Sequence, residues 1–171
     1  VIFCLTMLYI MNCFAFGFGT GLLKAPGTWG SLVPIPYFIL FTLLELPLWS
    51  GWLIALFLFL VGIWICESTG KALGVADYGG IVWDEIAAFF ALLLCIPAQT
   101  SHTGWLIHGA ILFALFRFFD IVKPQPIKYM DQHLKGGLGV MVDDVIAAVF
   151  AAAVYFSGLA MYDHFFAVIA R

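Results

Sequence analysis

The residues able to do chemistry in this chain are few, and the most telling are two adjacent acidic pairs, Asp84-Glu85 and Asp143-Asp144. The first pair opens the apolar run IAAFFALLLCI and the second opens VIAAVFAAAVYF. A single carboxylate at membrane depth costs at least ~2.5 kcal/mol, and carboxylates placed together repel unless a cation neutralises them. No His or Cys stands at ligand spacing beside these acids, so an all-oxygen set points to Mg2+ or Mn2+ rather than zinc. The competing reading of one pair is a helix N-cap favoured by the helix dipole. The matching format of two pairs favours the metal. Aligned on the acids, both stretches read Gly, three apolar residues, Asp, acid, and this echo predicts two similar half-sites facing one another across a cleft. Adjacent helical residues point ~100° apart, so one acid of each pair can face the cleft while its neighbour takes another partner.

Cations and hydroxyls suited to phosphate lie in two further stretches. Arg117, Asp120 and Lys123 are spaced three apart, which places them on one helical face, and Pro124 is expected to end that helix. Arg117 either snorkels from its apolar run or grips a phosphate through its fork of donors. The segment from Gly17 to Ser31 carries Gly17, Gly19, Gly21, Gly27 and Gly30 together with Lys24 and Thr28. Such a loop suits an anion cradle, because glycine lets backbone N–H groups approach closely; the alternative is a re-entrant turn that uses glycine for packing. It lacks the pattern of a Walker or dinucleotide-binding loop. Ser31 is expected to cap the helix that follows. His108, alone in an apolar segment, reads as a core histidine, and the cysteines, without C-x-x-C spacing, read as small hydrophobes.

Composition dictates the elements that must position these groups. Of 171 residues, 64% are hydrophobic and only 10% charged, against ~25% charged in a soluble domain. The chain is therefore read as one all-α integral membrane domain over residues 1–171, and its net charge of -3 with no basic cluster gives no reason to expect nucleic acid. Apolar segments at about 1–16, 32–46, 48–66, 85–97, 104–122 and 144–162 predict a polytopic bundle of about five or six helices with a glycine-rich cytoplasmic loop. The first has no basic flank or small-residue cleavage pattern, which favours a membrane or interfacial helix over a cleaved signal. The fourth is too short to span and should set Asp84 and Glu85 low in a cavity. Lys24, Lys71, Lys123, Lys128 and Lys135 fall on alternate loops, while the turns at 46–50 and 97–103 hold no Lys or Arg. The positive-inside rule makes the basic side, and with it both acidic pairs, cytoplasmic.

The motifs GFGTGL…APGTWGSL, GGIVWDEI, FRFFDIVKPQPI and GGLGVMVDDVIAA, in that order from Gly17 to Ala148, resemble the phosphatidylglycerophosphatase A family. The resemblance implies a Mg2+-dependent enzyme of the bacterial inner membrane that converts phosphatidylglycerophosphate to phosphatidylglycerol. It implies a metal set of Asp84, Glu85, Asp143 and Asp144. Lys24, Thr28, Arg117, Lys123, Gly19 and Gly27 are then expected at the phosphate, with Asp120 or Asp131 as an orienting group or proton carrier. Water attack and an aspartyl-phosphate both fit. Ala88 departs from the family pattern, in which glycine is common after the D-E pair. Two other classes use similar residues. Intramembrane acids also mark small ion or proton-coupled transporters, but here polar residues are too few to line a path. The CDP-alcohol phosphotransferases carry a spaced D-x-x-D-G-x-x-A-R run that this chain lacks.

Overall fold

A computed structural model describes residues 10–75, 78–97, 100–125, 129 and 133–169. Their regular structure is helical throughout. After helical residues 10–15 and a 3-10 turn at Gly17–Leu22, the helices are α1 (Pro26–Leu32), α2 (Pro34–Leu43), α3 (Leu48–Leu73), α4 (Trp83–Leu93), α5 (His102–Val122) and α6 (Gly136–Ile169). Among the described residues, three of these helices are long and the others are short. Only α3, α5 and α6 are long and apolar enough to cross a membrane among the described residues. Their most apolar windows are only 22%, 11% and 22% buried within the protein, so most of each faces outward, as lipid contact requires.

Three boundaries differ from the sequence reading, each for a local reason. The segment at 32–46 is helical as α2 from Pro34, and a separate helix α1 forms from Pro26 within the expected loop, because Pro26 and Pro34 each occupy a first-turn position, where proline starts a helix. Ser31 therefore lies inside α1 rather than capping a later helix, and its hydroxyl donates to the Gly27 carbonyl at 2.8 Å. Helix α6 begins at Gly136, eight residues before the expected start at 144, so Asp143-Asp144 sit two turns inside it. Asp84-Glu85, by contrast, occupy the first turn of α4. The nine-residue echo is consequently not two equivalent half-sites: Gly79-Gly80 form a turn, whereas Gly137 and Gly139 are helical.

Helix α4 is the centre of the bundle. Every one of its residues except Glu85 and Ala91 is buried, and it packs against α1, α2, α3, α5 and α6. Glycines on α3 receive both of its ends. A Cβ on Gly62 would lie 2.7 Å from the Trp83 ring, and one on Gly51 would lie 2.6 Å from Leu94. The eleven residue steps from Gly51 to Gly62 rise ~16 Å, the length of α4 itself. The open space at Gly62 lets the Trp83 indole N–H reach the Leu58 carbonyl at 3.0 Å, a bond that locks α4 to α3 at the level of the acids. Phe89 and Phe116, both fully buried, join α4 to α5 with ring centroids 5.7 Å apart. His108 is satisfied within the bundle, 3.0 Å from the Tyr155 hydroxyl across α5 and α6.

The start of α6 is fixed by α3. The Gly137 N–H donates to Glu67 Oε2 at 2.6 Å, satisfying one of the amides a helix start leaves over, and Glu67 Oε1 pairs with Lys71 at 2.8 Å. A Cβ on Gly137 would overlap the Ile63 carbonyl oxygen of α3. Gly137→Val should therefore force α3 and α6 apart and cost about 1–3 kcal/mol by overpacking, read as a lower thermal unfolding midpoint in detergent. Gly109→Ala on α5, where a Cβ meets nothing within 4 Å, should leave that midpoint unchanged.

Candidate active site

The end of the bundle where α4 and α6 begin and α3 and α5 finish holds a cavity of about 250 Å3. Asp84 and Glu85 enter from α4, Asp143 and Asp144 from α6, Asp120 from α5 and Lys123 from the cap of α5. Gly79, Gly136 and Gly139 complete much of the wall, with Lys135 at its exposed edge.

Three of the four predicted metal ligands converge. Asp84, Glu85 and Asp144 each present a carboxylate oxygen, and these oxygens lie within 4.8 Å of one another. Asp84 Oδ1, Glu85 Oε2 and Asp144 Oδ2 are shut off from solvent and receive no hydrogen bond. Enclosed carboxylate oxygens without donors are unfavourable as they stand, and a hard divalent cation supplies what they lack. The residues present therefore fit Mg2+. Asp143 shares the cavity but turns its Oδ2 to the ammonium of Lys123.

Two cations here, Arg117 and Lys123, are held by acids. Arg117 pairs with Asp120 at 2.8 Å, one turn along α5, and reaches Glu85 Oε1 at 3.6 Å. Its guanidinium also lies against Gly27 of α1: a Cβ there would overlap Glu85 Oε1 and come within 2.8 Å of both terminal nitrogens of Arg117. Gly27 is thus the space that lets α1 close over the Glu85–Arg117 contact. Arg117 is not among the cavity-lining residues, so it braces Glu85 from behind. Lys123 caps α5 in the left-handed region, with φ 44, a conformation uncommon outside glycine. The backbone turns there ahead of Pro124, and Lys123 faces the cavity with Asp143.

The glycine-rich segment sits elsewhere than a cradle would. Lys24 is exposed, Gly19 at φ 103 opens onto empty space, and Thr28 is half-buried in α1; none of the three lines the cavity. Within the segment, Gly30 is tight against Val82 and Gly21 against the Gly80 carbonyl. Asp131 lies outside the described residues. Glu67, which anchors α6, carried one usable signal in the sequence: an acid four residues before Lys71 at the end of an apolar run.

Comparison with known proteins bears on this arrangement directly. The family profile of phosphatidylglycerophosphatase A matches residues 13–158. The chain belongs to the phosphatidylglycerophosphatase A family. It is 43% identical over 155 residues to the Haemophilus influenzae phosphatidylglycerophosphatase A, covering 90% of this chain and 91% of the relative. It is 40% identical over 146 residues to the Escherichia coli K12 protein of the same name, covering 84% and 81%. A Bacteroides thetaiotaomicron protein provisionally named a phosphatidylinositol-3-phosphatase is 39% identical over 140 residues, covering 79% and 84%. No solved structure matches the chain. Every acid and cation of the cavity falls within the matched span.

The close seat of Gly27 makes a sharp test of the brace. Gly27→Ala should displace Glu85 or Arg117 and lower phosphatase turnover by roughly 10–100-fold, the scale of a small misplacement of a catalytic group. The thermal unfolding midpoint, measured in parallel, should fall far less than for Gly137→Val.

Proposed function

We propose that this protein is a Mg2+-dependent lipid phosphatase that hydrolyses the terminal phosphate of phosphatidylglycerophosphate, releasing phosphatidylglycerol and inorganic phosphate. The observation that carries the reading is the convergence of Asp84, Glu85 and Asp144, with donor-free oxygens, in a cavity shared with Lys123. The lipid is taken from the two relatives at 43% and 40% identity that are named for it.

Asp84, Glu85 and Asp144 would hold Mg2+. When bound, the ion would supply charge neutralisation at the phosphoryl oxygens and Lewis-acid polarisation of the ester. The chain's own groups complete the site. Lys123 supplies positive charge to the same cavity, and Asp143 keeps that ammonium oriented. Arg117, tied to Asp120 and Glu85, holds the Glu85 carboxylate toward its two partners. Phosphate monoesters hydrolyse among the slowest of uncatalysed reactions, and stabilisation of phosphoryl charge by fixed groups is the main means of accelerating them.

The proposed location is the cytoplasmic face of a bacterial inner membrane. Its support is the clustering of basic loops at the end of the bundle that carries the acids. A transporter is disfavoured because the cavity acids gather at one end of the helices instead of continuing along a path.

Purified protein in detergent, given phosphatidylglycerophosphate, should release phosphate with Mg2+ and stop in EDTA. Asp84→Asn and Asp144→Asn should each lower the rate by about 10³-fold or more, the scale of several kcal/mol of lost charge stabilisation. Asp143→Asn should cost less, because its partner is Lys123. No release under either condition would sink the enzyme reading, and full activity in EDTA would sink the metal. Phosphatidylinositol 3-phosphate assayed alongside should be the poorer substrate.

A further inference from the structure

Among the described residues, the charge pairing around the cavity leaves one cation over. Among its lining residues the acids are Asp84, Glu85, Asp120, Asp143 and Asp144, and the cations are Lys123 and Lys135. Lys123 is engaged by Asp143, and behind the wall Arg117 is engaged by Asp120 and Glu85. Lys135 has no carboxylate partner among the described residues. It is exposed at the edge of the cavity while the metal-type acids Asp84 and Asp144 are buried.

The backbone keeps Lys135 at that edge. The next residue, Gly136, turns through a φ of 75, and a Cβ there would overlap Glu67 Oε2. Gly137 then donates its N–H to the same oxygen. The chain's entry into α6 is therefore pinned immediately after Lys135, and the lysine is presented at the rim without being buried in an ion pair.

The substrate read above carries two phosphates: the terminal monoester that is cleaved and a phosphodiester bridging two glycerols, three carbons away. A buried group of acids with a metal ion can take only the first. We infer that Lys135 binds the bridging phosphodiester and so selects lipids with a second phosphate behind the scissile one. This rests on the substrate reading in the preceding subsection. It makes Lys135 a specificity-determining residue with a binding role, distinct from Lys123 beside the acids.

Product inhibition separates the two phosphates, because phosphatidylglycerol keeps only the diester and inorganic phosphate represents only the terminal group. Lys135→Gln should raise KM for phosphatidylglycerophosphate about tenfold, the size of one charge-assisted contact at a solvated edge, and change kcat less than about twofold. The inhibition constant of phosphatidylglycerol should rise similarly, that of inorganic phosphate should hold, and Lys135→Arg should restore both KM and the phosphatidylglycerol constant. An unchanged KM overturns the inference. A parallel rise in the inorganic phosphate constant overturns it too, since Lys135 would then serve the terminal group. If phosphatidylglycerol does not inhibit the unmodified protein, KM with its Lys135→Arg rescue decides. Loss of kcat with KM unchanged also overturns it. An unmodified protein that releases no phosphate would instead refute the substrate reading itself.

Discussion

Three carboxylates whose oxygens approach within 4.8 Å, two of the residues buried, are the constraint around which this protein is arranged. Such a group is unstable by itself, since each charge is desolvated and each repels the others. The surrounding structure can be read as what is needed to hold it together. Arg117 lies against Glu85 and Asp120, Lys123 meets Asp143, and one buried oxygen on each of Asp84, Glu85 and Asp144 is left without a donor. The glycines follow from the same need: Gly27 admits the Arg117–Glu85 contact, Gly62 admits Trp83, and Gly137 brings α6 onto α3. Without those close approaches α4 and α6 could not deliver acids to one point.

Helix α4 shows how the arrangement is compatible with a membrane. Its eleven residues extend only ~16 Å, about half of a ~30 Å hydrocarbon core. A helix end at that depth is tolerated only where protein surrounds it, because lipid offers no hydrogen bonds. The requirement is met here: α4 is buried along almost its whole length, and beyond it Cys95 and Ile96 donate their N–H groups to the carbonyls of Leu92 and Leu93. The broken helices α1 and α2 pack against α4 and so help to enclose it. The short segments cover the half-length helix while the three long ones carry the lipid contact.

Much of this was legible in the sequence, and the remainder failed for identifiable reasons. The short fourth apolar run, its acidic head, the Arg117–Asp120 face and the stop at Pro124 follow from local spacing, and each appears in the structure. The start of α6 was missed because Gly136-Gly137-Leu-Gly139 reads as a loop by propensity. Its helical state depends on Glu67, a tertiary partner seventy residues away. The loop of five glycines suggested a phosphate cradle, since glycine serves both backbone approach to anions and backbone approach to neighbouring helices. The glycines of this loop meet Val82, Gly80 and the Glu85–Arg117 pair, contacts that spacing alone does not give. That Asp143 is the acid that meets Lys123 was likewise beyond reach, because it turns on which way Lys123 leaves the cap of α5.

The early start of α6 has a consequence for where the chemistry can occur. Asp144 is the ninth residue of a 34-residue helix, so ~12 Å of helix precedes it and ~38 Å follows. The following part alone is long enough to cross a ~30 Å hydrocarbon core. In the proposed orientation the acids therefore sit at the boundary of that core, with Gly136 to Asp143 rising through the headgroup layer. A helix beginning at Asp144 would have left the carboxylates as caps at a free end, open to water. Beginning at Gly136, it walls the site with its own first two turns and carries Lys135 up to the edge, at the level where lipid phosphates lie. In that orientation the extra turns would turn a pair of helix caps into a walled site that a lipid headgroup could reach without its acyl chains leaving the bilayer.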